Sequence, residues 1–532
     1  MALLVAGLLA AYLAGNNRPA LFDRDEPRYA VTSRAMLDTG DWVVPRFLGE
    51  VRTAKPPAVY WLQATAMRVV GINEFAVRLP GALACAGTVA LLAIALPPLV
   101  GRRRAGWACF TLGTSVLVLG VAKVGVIDGI LLLCVAVAQL ALLRLLRRRG
   151  GDAANAVLLW TAVGVGGLLK GPVILGVLAT TLIAWWMLNR RAPPRGSALR
   201  SDAAARLVTR TRPLLGLVVV ALVCGPWLIL IALREPGFLP TALGHDVAGR
   251  TVRGLEGHGQ PPGFHLLALS ATWFPWSVLL PATLVGAWRR RRSTTIRFAL
   301  AACLGPWVMF ELVATKLPHY LLPIFPMLAL LTADWLVRVA RGQGRLRPWE
   351  WVVAGALYAA VAVGFAAAPF VLHAGSTAAA GLAGLWGLAT AVAWWRRRLP
   401  AAVLSAGVGM ALVVAVAYLD WLPRAPMLTI SRRVAGALAD TGAREAIMVG
   451  YKEPSLGWYA GQRGIAVREA DDEALASADG AAVTTRKSLA RLAPGTADRW
   501  ETTAVIPARL YNDDLRSDDI LILRLRPPEA TD

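Results

Sequence analysis

Apolar runs long enough to cross a bilayer alternate with clusters of arginine along most of this chain. A spanning helix takes about 20 predominantly apolar residues. Runs of that kind read as 1–17, 75–100, 106–124, 126–143, 155–170, 172–188, 213–233, 265–287, 296–314, 318–337, 350–371, 376–395 and 401–419, about thirteen helices. Arginine clusters fill every second loop: Arg102–Arg104, Arg144 with Arg147–Arg149, Arg190 through Arg212, Arg289–Arg292, Arg338 through Arg347 and Arg396–Arg398. Positive charge beside a span marks its cytoplasmic side, so these loops face the cytoplasm and the intervening ones face outward. The first run is short and reads equally as a signal segment. Either way, the polar stretch after it lies outside.

Composition agrees with this reading. A soluble chain of 532 residues would carry more charge than 17% and less apolar content than 56%. The net charge of +23 would suit a nucleic-acid partner, but its arginines sit between apolar runs, so membrane lipid and not nucleic acid is the expected neighbour. Cys85, Cys109, Cys134, Cys224 and Cys303 all fall inside apolar runs without metal or redox spacing and read as small buried hydrophobes.

After residue 424 no spanning run remains. Short apolar segments at 446–451, 465–468, 481–484 and 518–524 alternate with helix-like stretches at 454–461, 471–477 and 486–492. The expected organisation is an all-α polytopic membrane domain over 1–424 and a small extracytoplasmic α/β domain over 425–532.

Reactive side chains gather in the outward loops. The first reads FDRDEPRYAVTSRAMLDTGDW over 22–42, then KPPAVYWLQ over 55–63. Asp23, Asp25 and Glu26 crowd its start, and a helix from Pro27 carries Tyr29 along the membrane surface. Pro56 and Pro57 fix an extended approach that holds Lys55 at one depth. Before residue 424 the only lysines are Lys55, Lys123, Lys170 and Lys316, all on the outward side, which suggests an anionic substrate such as a phosphate. Asp128 opens an apolar run near its outer end, where an ionisable group usually serves a site; Lys123 is its nearest cation in sequence. The loop 234–264 carries His245, Asp246, Arg250, Arg253, Glu256 and His258, and ATKLPHYLLPIFP over 314–326 adds Lys316, His319 and Tyr320. No H-E-x-x-H or comparable metal spacing occurs.

At these residues the chain resembles bacterial 4-amino-4-deoxy-L-arabinose lipid A transferases and their relatives, which are akin to protein O-mannosyltransferases. The matching segments are DEPRYAVTSRAML with GDWVVPRFLG, KPPAVYWLQ, NEFAVRLPGALA, LLKGPV, GHDVAGRT and KLPHYLLPIFPMLALL, in family order from about residue 22 to 330. The resemblance implies the GT-C glycosyltransferase fold, with thirteen transmembrane helices and an external α/β domain. It implies an undecaprenyl-phosphate-linked sugar donor and transfer to lipid A or a related envelope acceptor. The setting would be the periplasmic face of the bacterial inner membrane, with the C-terminal domain periplasmic. Asp25 matches the family's first-loop aspartate and Asp128 its second acidic position, with Glu26 beside Asp25 as a further catalytic candidate. Lys55, Arg250 and Tyr320 match the lipid-phosphate site, with Lys316 next to it. Tyr29, His245 and His319 would line the donor or acceptor loop. Where these aminoarabinose transferases carry a glutamate that joins a loop histidine at zinc, this chain has Ala54, so His245 alone remains of that pair. No cofactor is therefore expected with a full ligand set.

The expected reaction is an inverting displacement at the anomeric carbon by a pentosyl- or hexosyltransferase. Cations would stabilise the departing polyprenyl phosphate. Asp25 would act as a base if the acceptor is a hydroxyl and as a positioning group if it is a phosphate. The alternatives are a mannosyl, galacturonosyl or arabinosyl transferase acting on protein or glycan, a transporter, and a non-catalytic lipid-binding protein. A transporter would place ionisable groups near the midplane instead of at one face.

Overall fold

The computed structural model describes every residue except 149–150, 191–206, 243, 245–259, 373, 472, 478–479, 492–496, 511–515 and 527–532. Among the described residues, ten helices are long and apolar enough to cross a membrane, or eleven if one bent pair counts as a single span. The other two expected spans fall short for local reasons. The first run forms only the helix Ala2–Leu13, whose Tyr12 is fully buried and donates to the Gly113 carbonyl at 2.8 Å. The run 106–124 breaks at Thr114 and Ser115 into Arg102–Gly113 and Val116–Val121. The run 265–287 bends by 117° between Phe264–Thr272 and Trp276–Arg289.

Long helices pair through short turns, and one such hairpin matters for the site. Asp128–Arg147 and Asp152–Lys170 form a helical hairpin, so the start of one and the end of the other meet. An acid in a first turn and a base in a last turn both suit the helix dipole.

The polar helix Asp25–Thr39 begins with Asp25 and Glu26 in its first turn and ends at Gly40 in a left-handed conformation (φ 70°). A short hairpin pairs Arg46–Phe47 with Glu50–Val51, and the helix Ala58–Val70 follows Pro57. Glu74–Ala95 starts at Asn73, whose side chain accepts from the Ala76 N–H at 2.9 Å.

Beyond the last span a five-stranded sheet forms from β3 (Glu445–Val449), β4 (Ala466–Ala470), β5 (Ala481–Thr485), β6 (Trp500–Leu510) and β7 (Arg516–Leu525), where β1 and β2 are the hairpin strands. Its order is β4-β3-β5-β7-β6, with β3 parallel to β4 and β5 and the remaining pairs antiparallel. Strand β6 and the helix Ile430–Asp440 were not expected from the sequence. Pro507 and the polar composition of β6 hide it, and both are tolerated because β6 is an edge strand.

This sheet domain shares a core with the first loop. Ala20, Leu21, Ala30 and Met67 pack with Ile430, Val434, Leu456 and Trp458. The Tyr459 hydroxyl accepts from the Leu21 N–H at 3.0 Å and donates to Glu74 Oε1 at 3.1 Å. Arg34 donates to the Gly461 carbonyl at 2.9 Å.

Candidate active site

A cavity of about 1670 Å³ opens between the first loop and the helix bundle. Its deeper walls are apolar, with Val116, Leu117, Leu131, Leu132, Val163 and Leu168 among them. Its rim is polar and includes Asp25, Tyr29, Arg52, Lys55, Asp128, Lys170, His319 and Tyr320. Such a space suits an amphiphile with a charged head and a long apolar tail.

Asp25 is well exposed at this rim, with Arg28 Nη1 at 3.8 Å from its Oδ1. Glu26 points elsewhere. It is fully buried and forms a two-point ion pair with Arg78, Nε to Oε1 at 2.7 Å and Nη2 to Oε2 at 3.0 Å. Its oxygens also accept from the Gly125 N–H at 2.7 Å and the Phe22 N–H at 2.8 Å. Arg78 donates further to the carbonyls of Asn16, Pro19 and Ala20. This lock fixes the first loop on Glu74–Ala95. The expectation that Glu26 joins Asp25 in chemistry gives way to an anchoring geometry, because hydrogen bonds already engage both of its oxygens.

The chain leading to Asp25 is held from the other side. Asp23 accepts from the Ser455 N–H at 2.8 Å and from the Ser455 hydroxyl, whose Oγ lies 2.6 Å from Ser431 Oγ. Burial, with the Glu453 carboxylate nearby, pushes the Asp23 carboxyl up to about 8. The C-terminal domain therefore touches the loop two residues from Asp25.

Asp128 is partnered by Lys170, with Nζ at 2.7 Å from Oδ1, and His319 Nε2 stands 3.9 Å from Oδ2. Lys123, its nearest cation in sequence, is not its partner. Lys123 is buried and donates to the Ala14 carbonyl at 2.6 Å and to Asn16 Oδ1 at 3.2 Å, closing the C-terminal end of Ala2–Leu13. Tyr320 lies under Lys170, whose Nζ is 5.2 Å from the ring centre. Lys55 lines the cavity, and its ammonium donates to the Ala54 carbonyl at 2.9 Å while its charge reaches Asp128. Lys316 does not line it; it is buried and donates to the Gln260 carbonyl at 2.9 Å. His245 and Arg250 lie outside the described residues.

Three groups that shape the site escaped the sequence reading: Arg52, Arg78 and the role of Lys170 as the partner of Asp128. Arg78 could have been found as a lone charge within an apolar run, which needs a partner. Lys170 stands out as a lysine at the outer end of another such run. Arg52 carries no comparable signal.

No group of three or more His, Cys, Asp or Glu side chains able to hold a metal occurs among the described residues. Ala54 offers no side-chain donor atom where the resemblance implies a glutamate ligand. The described residues therefore do not supply a metal set.

Comparisons with known proteins fit this geometry. The family described as dolichyl-phosphate-mannose-protein mannosyltransferase matches residues 54–230. The chain is 33% identical to an undecaprenyl phosphate-alpha-4-amino-4-deoxy-L-arabinose arabinosyl transferase of Serratia proteamaculans, over 61% of this chain and 57% of that protein. It is 34% identical to the one of Pseudomonas aeruginosa strain LESB58, over 62% and 58%. The chain thus spans a little under three fifths of the length of these relatives. Its fold superposes on the crystal structure of ArnT from Cupriavidus metallidurans bound to undecaprenyl phosphate. There the TM-score is 0.77 and the identity 21%, over 98% of this chain and 97% of that one. The resemblance carried by the motifs is borne out, and the fold is the GT-C fold with a small sheet domain at its C-terminal end.

Proposed function

We propose that this protein is a glycosyltransferase of the bacterial inner membrane that moves a sugar from undecaprenyl phosphate to lipid A or a related envelope acceptor. The cavity carries the argument: an apolar pocket whose rim sets an exposed carboxylate, Asp25, among Lys55, Lys170 and Tyr320. That arrangement fits a polyprenyl phosphate whose tail lies along the apolar wall. The relatives' names support undecaprenyl phosphate as carrier and aminoarabinose as the first sugar to test.

In this reading, residues 1–424 are the transferase domain and residues 425–532 a periplasmic domain. The acceptor oxygen attacks the anomeric carbon from the face opposite the phosphate. The carbon–oxygen bond to the lipid phosphate breaks, the phosphate leaves with the electron pair, and the configuration inverts. Lys55, Tyr320 and Arg250 hold that phosphate and stabilise the charge it gains. Asp25 orients the acceptor oxygen and takes its proton when the acceptor is a hydroxyl. Asp128 holds Lys170 and His319 at the rim, Tyr29 lines the same cavity, and Glu26 anchors the loop.

The test is reconstitution of the full chain in liposomes with undecaprenyl-phosphate-linked aminoarabinose and lipid A. Mass spectrometry should find sugar on the acceptor with the wild type and none with Asp25→Asn. If no supplied polyprenyl-phosphate sugar is transferred, the reading fails.

A further inference from the structure

Arg52 lines the cavity without a role in the scheme above. Its position is fixed from several sides. The backbone N–H donates to the Pro45 carbonyl at 2.8 Å, closing the hairpin before it. The Nε donates at 3.0 Å to the hydroxyl of Tyr60, itself fully buried. The guanidinium carbon lies 5.8 Å from the ring centre of Tyr29 and 5.7 Å from that of Phe47.

Among the described residues, no carboxylate oxygen stands within 4.0 Å of this guanidinium. That sets Arg52 apart from Lys170 and Arg28 at the rim. Lys170 is matched by Asp128, and Arg28 faces Asp25. A half-buried charge with no carboxylate in contact is costly, and an anionic ligand would relieve that cost. Arg52 lines the same cavity as Asp25 and Lys170, so it belongs to the neighbourhood of the reacting centre. With Lys55 assigned to the donor phosphate, the fork of Arg52 remains for a second oxyanion, which a guanidinium binds through paired hydrogen bonds.

We propose that Arg52, in its cradle of Phe47, Tyr29 and Tyr60, is a second oxyanion subsite that holds a phosphate or carboxylate of the acceptor. The inference rests on the transferase reading for its distinction between donor and acceptor. Arg52 acts as a substrate-binding and specificity residue, and Tyr60 orients it.

Binding separates the sources without turnover. The full chain in nanodiscs is titrated with undecaprenyl phosphate, monophosphoryl lipid A, a carboxylate-bearing glycolipid and a neutral glycolipid of the same chain length. The wild type should bind the phosphate or the carboxylate lipid better than the neutral one, which identifies the anion. Arg52→Gln should weaken that lipid about ten- to a hundredfold while undecaprenyl phosphate binding stays unchanged and reports an intact fold. Tyr60→Phe, which keeps the charge and frees its orientation, should lose less. The proposal is overturned if neither anionic lipid is preferred, if Arg52→Gln leaves that preference intact, or if only undecaprenyl phosphate binding falls. Failure of every sugar transfer with this binding preserved would instead remove the transferase reading alone.

Discussion

Lys170 Nζ lies 2.7 Å from Asp128 Oδ1 although 42 residues separate them, because one helical hairpin brings the start of Asp128–Arg147 beside the end of Asp152–Lys170. The pair holds two opposite charges at the polar rim of a cavity lined for much of its extent by apolar side chains. Removing either partner leaves the other unmatched, so the two sites should not act independently. A double-mutant cycle on thermal stability with Asp128→Asn and Lys170→Gln should give a coupling of about 0.5–3 kcal/mol. Strict additivity would mean that the pair is not a functional unit.

Glu26 and Asp25 are neighbours in sequence with opposite expected behaviour. Glu26→Ala leaves Arg78 buried without its counter-ion and should destabilise the protein by about 3–5 kcal/mol. Asp25→Asn alters an exposed side chain and should change stability by less than about 0.5 kcal/mol. Thermal unfolding in detergent micelles compares the two, and equal losses would contradict the anchoring role given to Glu26.

Asp23 makes the seam between the first loop and the C-terminal domain sensitive to pH. Its folded value, near 8, lies above its ordinary 3.8, so the folded state binds its proton more tightly. The associated stability is fully present below about pH 4 and is lost as pH rises through about 8. Asp23→Asn should therefore remove a fall in the unfolding temperature that the wild type shows across that window. Parallel curves for the two proteins would show that Asp23 does not titrate there.

Much of this architecture is legible in the chain itself. The apolar runs mark most of the helices long enough to cross a membrane, and the acidic start of the first loop marks Asp25. What escapes is pairing over distance. Nothing near Asp128 names Lys170 as its partner, whereas Lys123, closer in sequence, serves the end of the first helix. Glu26 and Arg78 are 52 residues apart, so the ion pair that turns Glu26 away from chemistry is invisible until the loop packs on its helix. Edge strand β6 was hidden by its polar composition and Pro507, which a sheet edge tolerates.

Lys55 is assigned to the phosphate of the donor. Lys55→Ala should weaken undecaprenyl phosphate binding about tenfold or more, since a charge-assisted contact is lost. Titration of purified protein with undecaprenyl phosphate measures this, and unchanged affinity would move the phosphate away from Lys55.

The central claim is that Asp25 stands at the reacting centre of a sugar transferase. It is tested most directly by single-turnover transfer from undecaprenyl-phosphate-linked aminoarabinose to lipid A, with wild type and Asp25→Asn at equal donor occupancy. Transfer by the wild type, with a loss of about a hundredfold or more in the variant and unchanged donor binding, is the predicted result. Transfer at the wild-type rate by Asp25→Asn would contradict it.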